Sequence, residues 1–222
     1  MRVLVACEES QAVTAAFRAR GHEAYSCDIQ HCALWNHMEW HIVEDARELI
    51  NGNCTFQTVS GGVHTIDGPW DLLIAHPPCT YITSAGATLM FNKEHQVIDR
   101  QREKKMYEAV AFFRVFLNAD CRRIAVENPA PLHHAGLPPY TQIIEPYMFG
   151  EPWKKRTCLW LKNLPKLEPT NIVTPLACWV HSYGGYTCRT KLHTPGIIGK
   201  RSPKERSKTF PGVAQAMAEQ WG

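Results

Sequence analysis

The chain has 222 residues and a formal net charge of +3, with 45% hydrophobic and 20% charged residues, a balance that suits one folded domain with its own core and argues against disorder. No run approaches the roughly 18 apolar residues of a membrane span, and the opening MRVLVACEES meets charged residues too soon for a secretory h-region, so no membrane partner and a cytoplasmic location are expected. Nine irregularly spaced cysteines read as reduced thiols, and the mild positive charge permits a polyanionic partner without demanding one.

Residues 2 to 6 form a short β-branched and apolar run that reads as a buried strand. Ser10 can then N-cap a helix through Ala12, Ala15, Ala16 and Ala19, which Gly21 ends. An extended pattern resumes at residues 23 to 27 and closes on Asp28, about 20 residues after the first strand-to-helix turn. Strand, tight turn, helix, strand and acid open a Rossmann-like unit, in which the acid hydrogen-bonds a ribose.

A third short strand is expected at 41 to 43, leading through Glu44 and Asp45 into a helix of residues 46 to 50. Residues 51 to 68, rich in Gly, Asn and Thr, read as a loop with a loose hairpin. Residues 70 to 75 (WDLLIA) and 123 to 126 have the composition of buried parallel strands, and between them residues 100 to 117 carry Met106, Val110, Phe113 and Leu117 at helical spacing. After residue 129 the chain turns rich in Pro, Gly, His and aromatic residues, with a late strand at 157 to 161, an irregular stretch from 165 to 205 and a short helix at 212 to 220. The expected class is α/β: a Rossmann-like, mostly parallel sheet whose sites lie at the carboxyl ends of the strands. It divides into 1-162 as the catalytic part, 163-205 as a small basic and aromatic substrate-contact region, and 206-222 as a helix returning to the first.

Two strand ends carry the chemistry. His76-Pro77-Pro78-Cys79-Thr80 follows WDLLIA, and its paired prolines fix two φ angles and remove two amide donors, presenting Cys79 from a rigid loop. A thiol there is a nucleophile if a nearby cation or helix N-terminus favours the thiolate, and a packed cysteine after a proline turn otherwise. Glu127-Asn128-Pro129 ends the next strand, where burial is expected to raise the carboxyl pKa and let it donate a proton; a capped strand end is the alternative.

Pro77-Pro78-Cys79 followed by Glu127-Asn128-Pro129 resembles the PC and ENV motifs of the cytosine-5 DNA methyltransferases, and the phrases IAHPPCTY, IAVENP and RTCLWLKNLP are similar to those of short methyltransferase-like proteins of bacteriophages and prophages. The resemblance spans residues 1 to about 162 plus the terminal helix. It implies S-adenosylmethionine as cofactor, held by Asp28 at the ribose and Asp45 near the adenine, with Ala6, Cys7, Glu9, Ser10, Ile29, Ala46, His76 and Pro77 beside them. Cys79 is then the residue that attacks C6 of cytosine, Glu127 the acid, Asn128 a brace for the loop and Arg156 a donor to the base oxygen or a phosphate. Pro78, Thr80, Lys155, Arg189 and Lys191 are the implied substrate contacts. The partner is DNA, as a duplex with a flipped base or as a single strand, because the target must leave the stack; oligomeric state is left open, and a phage-encoded protein would work in its host's cytoplasm.

Two departures stand out. The first turn, Ala6-Cys7-Glu8-Glu9-Ser10, has no glycine and two acids, which a cationic cofactor tolerates and a pyrophosphate does not. For Glu8 and Glu9, charge at a helix N-terminus competes with cofactor contact. The segment left for reading DNA is about 40 residues long, with Arg189, Lys191, Lys200, Arg201, Lys204, Arg206 and Lys208 among Trp179, Tyr183 and Tyr186, a mix for phosphate contact and base stacking or an ordinary solvated surface. Low sequence specificity is expected. No metal is expected, although Cys178, His181, Cys188 and His193 offer four zinc ligands at a spacing that matches no standard finger. Cys27, His31, Cys32, His37 and His41 form a looser group. Residues 207 to 212 take the place of the family's last cofactor motif without its Gly-Asn-Ser. The expected function is methyl transfer to C5 of cytosine in DNA, with a cytosine nucleotide or RNA as alternative substrate and an inactive DNA-binding decoy as the alternative class.

Overall fold

The structure, a computed structural model, describes residues 1–32, 37–178, 205 and 207–222. Its centre is a seven-stranded sheet in the order β3-β2-β1-β6-β7-β10-β8. The members are β1 (Arg2–Ala6), β2 (Glu23–Asp28), β3 (His41–Val43), β6 (Leu72–Ala75), β7 (Ile124–Pro129), β8 (Gln142–Ile144) and β10 (Thr157–Lys162). β1, β2, β3, β6 and β7 run parallel, while β10 is antiparallel to both β7 and β8. This is the expected Rossmann-like α/β class, with one reversed strand.

Strand alternation divides the core between the two faces. Val3 and Val5 of β1, Leu72 and Ile74 of β6 and Ala125 of β7 pack on one face, with Val13 and Phe17 of α1 (Ala12–Ala19) and Met217 and Trp221 of α3 (Pro211–Trp221). Leu4, Leu73, Ile124 and Val126 face the other layer, with Met106, Val110, Phe113 and Phe116 of α2 (Arg100–Leu117). Phe116 takes the deepest place at the end of α2, where the spacing pointed to Leu117, which is half-buried. An antiparallel hairpin of β4 (Cys54–Gln57) and β5 (Val63–Ile66) covers the same face, setting Phe56 and Ile66 against Trp70. Each fully buried large apolar side chain contributes roughly 1.5–3 kcal/mol.

Several local expectations are corrected. The helix expected at 46 to 50 is a single 3₁₀ turn, Ala46–Glu48, capped by Asp45, whose carboxylate accepts from Arg47 N. Within the stretch after residue 129 the chain also forms β8 and a two-residue strand β9 (Trp153–Lys154), which pairs parallel with β11 (Ala177–Cys178). Short polar and Pro-bounded runs like these carry no periodicity to read. Within the expected irregular stretch, Leu167 is buried, and its backbone N–H and C=O bond both ends of the Gln142 side-chain amide.

The start of α1 departs furthest. Ser10 is not the cap: the residue before the helix is Gln11, in a left-handed conformation with no capping side-chain bond, and Ser10 Oγ accepts only a long 3.4 Å bond from Ala12 N. Glu8 does the work instead. It is buried, with Oε1 accepting from Val13 N at 2.6 Å and Oε2 accepting from Thr14 N and Thr14 Oγ1 at 3.2 and 2.7 Å. The carboxylate thereby satisfies two orphan amides at the positive end of the helix. α3 uses the same device, Gly212 N donating to Glu151 Oε1 at 2.7 Å. Gly212 is required there because a Cβ would meet Phe149 O at 1.9 Å.

Replacing Glu8 by alanine orphans both α1 amides and should destabilise the fold by about 2 kcal/mol, whereas glutamine, which keeps an acceptor, should cost less. Denaturant midpoints of the two variants check the ranking.

Candidate functional site

In an open parallel sheet the ligand crevice lies at the carboxyl ends of the strands where the strand order reverses. Here β1 leads outward to β2 and β3, and β6 leads the other way to β7, so the crevice opens between the ends of β1 and β6. The residues leaving those ends are Cys7 and Glu8 on one side and His76 and Pro77 on the other, with His76 N bonded to Ala6 O at 2.9 Å.

The register of β6 on β7 brings the two sequence motifs together. Leu73 pairs with Ile124, Ile74 with Ala125 and Ala75 with Val126, so the next step sets His76 opposite Glu127. Alternation places both on the face that carries Ile74 and Ala125. Their side chains meet: His76 Nδ1 lies 3.0 Å from Glu127 Oε2, with the side chains only 10% and 15% exposed. One residue further on, Asn128 is buried and its Nδ2 donates to Pro77 O at 2.8 Å. This bond ties the double-proline loop to the neighbouring strand.

Cys79 is half-buried beyond that tie, between exposed Pro78 and exposed Thr80, while Pro77 is buried. Its carbonyl accepts from Ile82 N and Thr83 N at 3.2 and 3.1 Å, closing a turn directly after it. Arg102 from α2 donates through Nη2 to Thr80 O at 3.0 Å, and its guanidinium and the Lys105 ammonium lie 5.0 and 5.5 Å from the Tyr81 ring centroid. Sequence reasoning missed this support, although the basic RQREKK opening of α2 was a visible signal.

Glu127 behaves differently from expectation. Burial does push its carboxyl up, but the hydrogen bond from His76 and the positive charges of Lys155 and His76 outweigh it, and the carboxyl sits below its ordinary range. The residue is therefore a carboxylate in the free protein, and His76 Nδ1 must be the donor between them. Lys155 reaches this side: its Nζ donates to Lys208 O at 3.4 Å and lies 5.8 Å from the Phe210 ring centroid. Glu127, Lys155, Thr157, Thr209, Phe210 and Val213 line a small cavity between the sheet and the start of α3. Arg156 is exposed, its Nη2 reaching the Tyr140 hydroxyl at 3.5 Å. Of the basic pair, Lys155 is the one the structure brings to Glu127.

The ends of β2 and β3 form an acidic neighbourhood. Asp28 Oδ1 accepts from Gln30 N at 2.9 Å. Burial pushes this carboxyl up, the Gln30 amide and His41 pull it down, and Glu9 pushes it up again. Ile29, directly after it, is 75% exposed, unusual for an apolar side chain beside a charged group. Cys7 takes a left-handed φ of 59°, and its thiol is driven far up, by burial first and then by Asp28, Cys27 and Asp45. Asp45 is held below its ordinary range by the Arg47 side chain, which donates to both carboxylate oxygens. Ala46 is buried beside it and Ala6 ends β1 in the core, whereas Glu9 and Ser10 are half-buried. Glu8 is spent on the helix, which separates the two acids of the first turn.

Arg189, Lys191 and the other basic residues of the expected DNA-contact segment up to Arg206, with His181, Cys188 and His193 of the zinc alternative, lie outside the described residues, as does the side chain of Cys178. Among the described residues no three His, Cys, Asp or Glu groups come together as a metal site, so the group of Cys27, His31, Cys32, His37 and His41 is not assembled into one. None of the described helices is long and apolar enough to cross a membrane.

No protein-family model matches this chain, and no curated protein does. Among solved structures it is similar to a protein from an Escherichia coli prophage whose name gives it as a DNA modification methyltransferase. The two are 14% identical with a TM-score of 0.46, and the match covers 80% of this chain and 53% of the other, so the chain spans about half that protein's length.

Replacing Asn128 by leucine removes the bond to Pro77 O and should cost about 1–3 kcal/mol. Hydrogen exchange in residues 76 to 83 should accelerate in that variant more than exchange in α1.

Proposed function

We propose that this protein is an S-adenosylmethionine-dependent DNA methyltransferase that modifies C5 of cytosine, with Cys79 as nucleophile. The observation that carries the reading is the pair of cross-strand bonds, His76 to Glu127 and Asn128 to Pro77, which fix the cysteine loop and a buried carboxylate at the ends of adjacent parallel strands. Neither bond is needed to pair the strands. Both serve residues beyond the sheet.

The cofactor end fits the proposed group by its chemistry. Asp28 is a half-buried carboxylate placed where a ribose is held in this class of fold, and exposed Ile29 offers an apolar surface for a ring. Glu9, Asp28 and Asp45 supply negative charge near Cys7, favourable to a ligand that is cationic at sulfur and amine and hostile to a pyrophosphate. Bound there, S-adenosylmethionine supplies an electrophilic methyl group.

The chain's own residues provide the rest. The Cys79 thiolate adds to C6 of the base, which moves electron density onto N3 and makes C5 nucleophilic; once C5 carries the methyl group, the proton on that carbon passes to water and the sulfur–C6 bond breaks, restoring the thiolate. Glu127 faces the base edge with its partner His76, and Lys155 adds positive charge close by. Asn128 keeps the loop from drifting, which matters because small misplacements of a reacting group cost large factors in rate.

Tritium transfer from labelled cofactor to duplex and single-stranded DNA, with mass spectrometry of the digested nucleosides, tests the reading. Cys79→Ala should lower turnover by about three orders of magnitude or more, and undiminished activity in that variant would sink the mechanism. Asp28→Ala should weaken cofactor binding about tenfold or more by calorimetry, while leaving the fold intact.

A further inference from the structure

His76 is the group whose placement the proposed chemistry does not by itself require. It follows two constraints: the β6–β7 register sets it opposite Glu127, and the bond of its own backbone N–H to Ala6 O fixes where its side chain leaves the sheet. The imidazole is nine-tenths buried, Nδ1 is 3.0 Å from the carboxylate, and Nε2 is buried with no hydrogen-bond partner among the described residues. A buried imidazole with one nitrogen committed and the other orphaned is costly as mere packing, because an unmade bond at a desolvated polar atom forfeits its hydration.

The charged groups around the pair come from every side. Burial pushes the carboxyl of Glu8, at the start of α1, above its ordinary value, and His76 offsets part of that push. Lys155, just before β10, acts on Glu127, and Cys158 of β10 is pushed up in part by it. α3 contributes only Val213 and Met217 to the cavity, with Phe210 just ahead of it. Two carboxylates thus flank a single imidazole.

We infer that His76 is the positioning residue of Glu127: Nδ1–H holds the carboxylate in one orientation as an acceptor. This assignment rests on the proposed function only in taking Glu127 as the group that faces the base. The pair, rather than Glu127 alone, is then the unit that faces the base.

The experiment is carbon-13 NMR of glutamate side-chain carboxyls in wild type, His76→Ala and His76→Asn across the acidic range, with the Glu127 signal assigned by Glu127→Gln. In wild type Glu127 should titrate below an ordinary glutamate. In His76→Ala burial is left opposed by Lys155 alone, and the midpoint should rise above the ordinary value. Asparagine keeps a donor without the charge, so His76→Asn should show a smaller rise, and it decides the matter if the alanine variant does not fold. An unmoved Glu127 midpoint in the folded variants overturns the assignment.

Activity gives a second readout. The limb of kcat/KM that Glu127 governs moves with its pKa, so raising that pKa shifts the limb to higher pH in His76→Asn. A purely structural histidine would lower the rate at every pH and leave the limb in place, which also counts against the assignment. If wild type modifies no DNA, the proposed function fails, and the NMR arm still decides the role of His76.

Discussion

Everything at the carboxyl edge of this sheet depends on one register. Because β6 and β7 pair with Ala75 against Val126, the two residues that leave the core next are a histidine and a glutamate, and they leave on the same face. A slip by one residue would turn Glu127 toward the α2 layer and strand His76 among apolar side chains. The register is itself held by burial: Leu73 and Ile124 are fixed to one face and Ile74 and Ala125 to the other by the two halves of the core. Hydrophobic alternation over four residues thus determines where a charged pair forms.

The same edge shows how buried charge is made tolerable. Glu8 loses its hydration but gains two helix amides and a hydroxyl, and Glu127 gains an imidazole and a nearby ammonium. Removing either set of partners would leave an uncompensated carboxylate in a poorly solvated place, which is far more damaging than the intact pair is stabilising. One carboxylate builds a helix and the other faces a cavity, and nothing in residue type alone separates their roles.

Much of the fold could be read from the amino-acid sequence because the relevant signals are local. β1, α1, β2 and α2 announce themselves through period and turn residues, with bounds close to those observed, and the hairpin lies within the Gly-, Asn- and Thr-rich stretch read as a loop with a loose hairpin. Long helices with an apolar stripe, such as α2, and short β-branched runs, such as β1, leave few alternatives. β8 and β9 were illegible because two or three residues have no period. At the site, the pairing of the HPPC and ENP motifs followed from adjacent strand ends. The ionisation of Glu127 did not, since it depends on His76 and Lys155, which are 51 and 28 positions away in the chain and meet it only through the sheet. Nor could Glu8 be told from Glu9: only the folded turn shows which one points at the helix.

The reversed direction of β10 has a further consequence for how this protein can change. After β10 the chain returns past Leu167 and Asn171 to β11, which pairs with β9 at Trp153 and Lys154, and the chain downstream is tethered by the bond from Lys155 to Lys208 O. Both anchors of the intervening segment therefore sit beside the same short stretch, residues 153 to 155. Anchors that stand together set the ends of the chain between them, and in general each doubling of a flexible loop's length adds only about 0.6 kcal/mol of closure cost. The scaffold thus fixes the two points where that segment leaves and rejoins it, and the second lies beside the cavity lined by Glu127 and Lys155.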